Sequence, residues 1–120
     1  MYVSMTFTDE PGAPGAPEAK ETDCNSITLG WSPPSNDGGS PITGYNVFKR
    51  EAGTSKWVPA NRAPVRETSF TVPKLVEGTE YEFQVKAINA AGEGKPSETS
   101  DAIAAAPPPS KLICFRLVLP

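Results

Sequence analysis

The residues of this chain best placed to do chemistry are two carboxylates, Glu80 and Glu82, in the run Glu77-Gly78-Thr79-Glu80-Tyr81-Glu82-Phe83. Two carboxyl groups can hydrolyse a glycosidic bond when they flank it and differ in pKa. Here they alternate with Tyr81 and Phe83, which puts both on the solvent side of a strand with no pocket to shift either one. Cross-strand ion pairs with Lys49 or Lys86, worth about 0.2–1 kcal/mol each, are the role expected of them. Asp37-Gly38-Gly39 could form an anion-holding nest of backbone amides. The plainer reading is a tight polar loop in which glycine supplies positive φ. Gly92-x-Gly94 is half of a dinucleotide fingerprint, but it follows a strand without opening a helix, so it reads as a loop.

The chain contains no histidine, which removes the commonest general base and metal ligand. Its two cysteines, Cys24 and Cys114, lie far apart, and neither has a second cysteine nearby to start a zinc site. They could pair with each other, but Cys114 sits in a tail unlike the rest of the chain. A fold without a disulfide is therefore expected. No catalytic, cofactor-binding or metal residue is assigned, and the chain is not read as an enzyme. The net charge is −3 with dispersed basic residues, which offers no patch for a phosphate backbone and argues against nucleic acid as a partner. No run of eighteen apolar residues exists to span a membrane. Residues 1–5 lack the basic and apolar regions of a signal peptide.

The elements that would position these residues are strands. A length of 120 residues suits one domain, and 14 prolines with 10 glycines suit short strands joined by many turns. The run 80–89 has the cleanest alternation, with Tyr81, Phe83, Val85 and Ala87 inward. Residues 26–31 place Ile27, Leu29 and Trp31 on one face, and Pro33-Pro34 end that strand because proline cannot donate to a ladder. Residues 42–50 turn Tyr45 and Val47 inward and Phe48 outward. Residues 68–72 contribute Phe70 and Val72, and Leu75 fills the corner that follows. Weaker strands are expected at 19–23, 56–58 and 96–104, with 90–95 a loop. The prediction is an all-β, seven-stranded antiparallel sandwich over 17–104. Residues 1–16 form a flexible N-terminal segment with a Pro/Gly linker, and 105–120 a Pro-rich linker and tail expected to be disordered.

Four pieces of the chain, in order, resemble one family. They are the linker Pro11-Gly12-Ala13-Pro14-Gly15-Ala16-Pro17-Glu18; Trp31-Ser32-Pro33-Pro34 with Asn36-Asp37-Gly38-Gly39-Ser40-Pro41-Ile42-Thr43-Gly44-Tyr45; Lys49-Arg50-Glu51 with Trp57; and the spacing from Leu75 through Tyr81-x-Phe83-x-Val85-x-Ala87-x-Asn89 to Gly92-x-Gly94-x-Pro96-Ser97. Together they resemble fibronectin type III modules of giant muscle proteins such as titin, twitchin, projectin and myosin-binding protein C. Gly30 and Asn46-Val47-Phe48 depart from the family pattern without threatening the fold.

The resemblance implies an immunoglobulin-like sandwich with a tyrosine corner at Tyr81, its hydroxyl bonding backbone near Leu75. It implies a monomeric spacer and interaction module, without cofactors, in the cytoplasmic sarcomere. Its partners would be neighbouring immunoglobulin or fibronectin modules and myosin or other thick-filament proteins. Asn36, Asp37, Gly38, Gly39, Gly92, Glu93 and Gly94 are expected to flank the joint with a preceding module. Trp57 is expected either to cover the sheet edge near Phe48 or to join a contact surface. The alternative is an extracellular cell-adhesion or receptor module of the same fold. It gains nothing from Asn25 or Asn36, which are not glycosylation acceptors, nor from an Arg-Gly-Asp triplet, which is missing.

Overall fold

In the computed structural model, residues 9–108 are described. The disorder expected of 1–8 and 109–120 lies outside them. The described residues form eight β segments: β1 (Glu18–Asp23), β2 (Ser26–Gly30), β3 (Gly44–Glu51), β4 (Val58–Pro59), β5 (Ser69–Val72), β6 (Glu80–Asn89), β7 (Gly92–Pro96) and β8 (Ile103–Ala104). One sheet has the order β1-β2-β5, the other β4-β3-β6-β7 with β8 also on β6. Every pairing between these strands is antiparallel. This is the all-β sandwich expected from the alternation.

The core is what the period-two pattern dictates. In β6, Tyr81, Phe83, Val85 and Ala87 are buried and their neighbours are not, until Asn89 closes the strand. They face Ile27, Leu29 and Val72 of the other sheet, with Tyr45, Val47 and Leu75 completing the cluster. Trp31 is 8% exposed and meets Tyr45 edge to face, ring centroids 5.4 Å apart at 69°. Phe70, expected inside, is only half-buried at the rim of the cluster. It lies on β5 opposite Leu29 of β2, and β5 is the edge strand of its sheet.

Several boundaries differ from expectation. The segment expected at 56–58 pairs with β3 as Val58–Pro59. Gly92, expected in a loop, closes a tight β6–β7 hairpin opposite Asn89 with φ 129°, and Glu93 and Gly94 lie within β7. The last strand, expected over 96–104, is broken. Pro96 cannot extend the ladder, and only Ile103–Ala104 rejoins β6. In between, Ser97 and Ser100 substitute for a strand. Each donates its amide to β6 (to Val85 and Phe83 carbonyls, 2.8 and 2.9 Å) and accepts the amide of the same residue on its hydroxyl (3.0 and 2.9 Å). Ala105 is fully buried and accepts the Gly78 amide at 2.9 Å, so packing continues past the expected limit at 104.

At the β5–β6 corner the Leu75 amide donates to Asn25 O at 2.9 Å, and Lys74 holds the left-handed φ of 62°. The Tyr81 hydroxyl bonds this corner as expected, but it accepts the Val76 amide (2.9 Å) rather than serving a carbonyl. Cys24, in the β1–β2 turn, is disulfide-bonded, against the expectation of a fold without one. Alternation reports on the sheets and carries no information about a cysteine in a turn.

Candidate functional site

No catalytic constellation assembles. Glu80 is exposed, while Glu82 pairs with Arg50 at 2.8 Å rather than with Lys49 or Lys86. The register explains the choice, since Arg50 sits directly opposite Glu82 across β3 and β6. Among the described residues no three Cys, Asp or Glu side chains converge on a metal-holding position. Both glycine amides of the nest at Asp37-Gly38-Gly39 are already taken: Gly38 N donates to Asn36 Oδ1 and Gly39 N to Asp37 Oδ1, both at 2.9 Å.

What does assemble lies at the end of the sandwich where β2 and β6 finish. Residues 9–17, expected to be flexible through 16, lie along the β2–β3 loop as a strap. The Asp9, Gly12 and Gly15 amides donate to Gly38, Asn36 and Ser32 carbonyls at 2.8, 2.8 and 2.9 Å, running antiparallel to the loop. Pro11, Pro14 and Pro17 are buried, whereas Ala13 and Ala16 are exposed. Donation and burial both recur every third residue, the period of polyproline II, which the three prolines favour by fixing φ.

The other wall of the strap is the β6–β7 hairpin. Lys95 N reaches Pro11 O at 3.4 Å. Asn89, which the sequence reading passed over as a strand end, is the knot. Its Nδ2 donates to Asp9 O (2.7 Å) and Asp37 O (2.6 Å), and its Oδ1 accepts the Ala91 amide (2.8 Å). Gly38 and Gly94 have no room for a side chain: a Cβ on either would run into the carbonyl oxygen of Asp9 or Pro11 respectively. Thus Asn36, Gly38 and Gly94 contact the strap itself, and Asp37 is tied to it through Asn89. Gly39 completes the loop turn, Gly92 forms the hairpin turn, and Glu93 turns to the outer sheet face.

On that outer face, charges and rings interleave. Trp57 is half-buried, with Arg50 Cζ 4.4 Å from its ring centroid. Lys86 Nζ lies 5.0 Å from the Phe48 centroid and 3.4 Å from Glu93 Oε1. Glu93 Oε2 accepts from Asn46 Nδ2 at 2.7 Å, and Asn61 Nδ2 reaches Asn46 Oδ1 at 3.1 Å. The ring contact shown for Trp57 is thus with Arg50 of β3.

The family model of the fibronectin type III domain matches residues 12–103, a span that starts inside the strap and ends at β8. The chain belongs to the fibronectin type III family. Among curated relatives it is 42% identical over 100 residues to human myomesin-2, covering 81% of this chain and 7% of that protein. It is 36% identical over 111 residues to human cardiac-type myosin-binding protein C, covering 92% of this chain and 9% of that protein. A titin module, A71 from human cardiac muscle, superposes with a TM-score of 0.72 at 42% identity, covering 79% of this chain and 92% of that one. This fibronectin type III module is thus similar to modules of muscle proteins, and it spans less than a tenth of those curated relatives' length.

Proposed function

We propose that this chain is a non-enzymatic structural module of a large modular muscle filament protein, a spacer that also offers interaction surfaces. The supporting observation is where the chain approaches and leaves the sandwich. Asp9 bonds Asn89 at one end of β6, while Ala104 pairs with Glu80 at the other. Those ends are 9 residue steps apart. At about 3.3 Å per residue they lie roughly 30 Å from each other. A module threaded end to end transmits length along a filament, and the pinned approach fixes the direction of a preceding neighbour. The partners proposed are neighbouring immunoglobulin or fibronectin modules and, from the muscle relatives, myosin or other thick-filament proteins, in the cytoplasmic sarcomere.

A second reading, an extracellular adhesion or receptor module, is favoured by the disulfide at Cys24, which suits an oxidising compartment. One experiment separates the two. A fluorescent fusion of this chain in cultured striated muscle cells is expected to show periodic cross-striation in register with thick filaments. Diffuse fluorescence would overturn the filament reading, and surface exposure of the secreted parent protein would favour the second.

A further inference from the structure

We propose that the trough between the β2–β3 loop and the β6–β7 hairpin is a binding site for a polyproline II segment of pattern Pro-x-x-Pro-x-x-Pro. In this chain it is filled in cis by residues 9–17. The trough reads three features of its occupant, the first two of which recur every third residue. Carbonyls of Ser32, Asn36 and Gly38 take one amide per turn of the strap. Pro11, Pro14 and Pro17 fill the buried positions. Asn89 and the Lys95 amide hold the opposite edge through the Asp9 and Pro11 carbonyls. A featureless linker would meet none of these at regular spacing.

The walls are built for close backbone approach. Gly38 and Gly94 face strap carbonyls where any Cβ would collide, and the Gly38 φ of 76° independently favours glycine. The strap's own glycines are under milder constraint. A Cβ at Gly12 would stand 3.5 Å from Asn36 O, and one at Gly15 would stand 3.2 Å from Ser32 Cβ. Small residues are therefore admitted at the donor positions, proline is selected at the buried ones, and the exposed Ala13 and Ala16 positions are unread. The strap's amides bond the β2–β3 loop rather than a sheet strand, and of its side chains Pro11 is fully buried. Opening the strap therefore exposes Pro11 but breaks no strand pairing, at a free energy below that of global unfolding. Once open, the trough is available to an equivalent segment of another copy.

The test uses the whole chain. In the wild type, the Gly12 and Gly15 amides are expected to exchange with solvent at least about tenfold slower than in the free peptide. Asn89→Ala should remove that protection while the Phe83 and Val85 amides keep theirs. A double substitution, Pro11→Asp with Pro14→Asp, evicts the strap. A synthetic peptide of residues 9–18 added in trans should then shift the Asn89 side-chain amide and Gly94 resonances saturably, and a peptide of the same composition with its prolines out of register should not. Free-peptide exchange at Gly12 and Gly15 in the wild type overturns the proposal. So does equal response of the evicted chain to both peptides. If the evicted chain does not fold, the wild-type and Asn89→Ala exchange rates decide alone.

Discussion

The Tyr81 hydroxyl lies 2.9 Å from the Val76 amide and accepts its proton across five residues of the β5–β6 corner. This bond ties the start of β6 to a turn that contains the strained Lys74, and the neighbouring Leu75 amide is held by Asn25. Tyr81→Phe keeps the ring in the core and leaves the Val76 amide to find water. It should cost about 0.5–1.5 kcal/mol, read as a lower urea midpoint at unchanged slope. An unaltered midpoint would show that the corner holds without its hydroxyl.

The two tryptophans should respond very differently. Trp31 is buried between the sheets against Tyr45, and its removal leaves a cavity, so Trp31→Ala should cost about 3–5 kcal/mol. Trp57 is half-buried and its distinctive contact is Arg50 at 4.4 Å, a stack worth about 0.5–1 kcal/mol at such a site. Trp57→Ala should therefore be clearly milder, and a double-mutant cycle with Arg50→Ala should return a coupling in that range. A reversed order of the two tryptophan costs would mean that the packing centre has been misplaced.

The sandwich was legible because burial in β2, β3 and β6 follows the pleat, and alternation reads a pleat directly. Ile27, Leu29, Val47, Phe83 and Val85 are all at the positions that the pattern selects. The docked strap was only half legible. Chain direction already places the 11–17 segment beside the β2–β3 loop and the β6–β7 turn. Its docking is invisible to alternation, however, since Pro11, Pro14 and Pro17 recur with period three and proline and glycine score as breakers. Asn89 was missed because its partners, Asp9 O and Asp37 O, are backbone atoms 80 and 52 residues away. A polar residue at the inward phase of β6, following Ala87, was the available signal.

Alkaline pH offers a separate probe of the core. Burial holds the Tyr45 hydroxyl above its ordinary value of 10.0 by disfavouring the phenolate. The folded state therefore keeps this proton longer than the unfolded chain does. The contribution is fully present below pH 10 and is lost as pH rises from there through the folded-state value. Tyr45→Phe should flatten the fall in stability above pH 10 relative to wild type, while leaving the profile from pH 7 to 9 parallel. Identical alkaline slopes in the two proteins would place the titration elsewhere.

The most specific prediction concerns the broken last strand. After Pro96 the chain could have left β6 with exposed ladder groups, yet the Val85 and Phe83 amides are both met, by Ser97 Oγ at 3.0 Å and Ser100 Oγ at 2.9 Å. Each hydroxyl passes its own proton on, to Glu98 O and Asp101 O respectively, both at 2.9 Å, so neither hydroxyl is left idle. Both serines are buried, so water has little access to replace them. Ser97→Ala or Ser100→Ala should strand one buried donor each and cost about 1–3 kcal/mol apiece. The pair shares a strand and a short connection, so the double substitution should depart from additivity. Local readout separates this from general loss of packing. Amide exchange should accelerate first at Val85 for Ser97→Ala and at Phe83 for Ser100→Ala, with Ile27 and Leu29 in the opposite sheet unaffected until global unfolding. Uniform acceleration across both sheets, or a cost below about 0.5 kcal/mol, would show that the serines follow the chain rather than hold it.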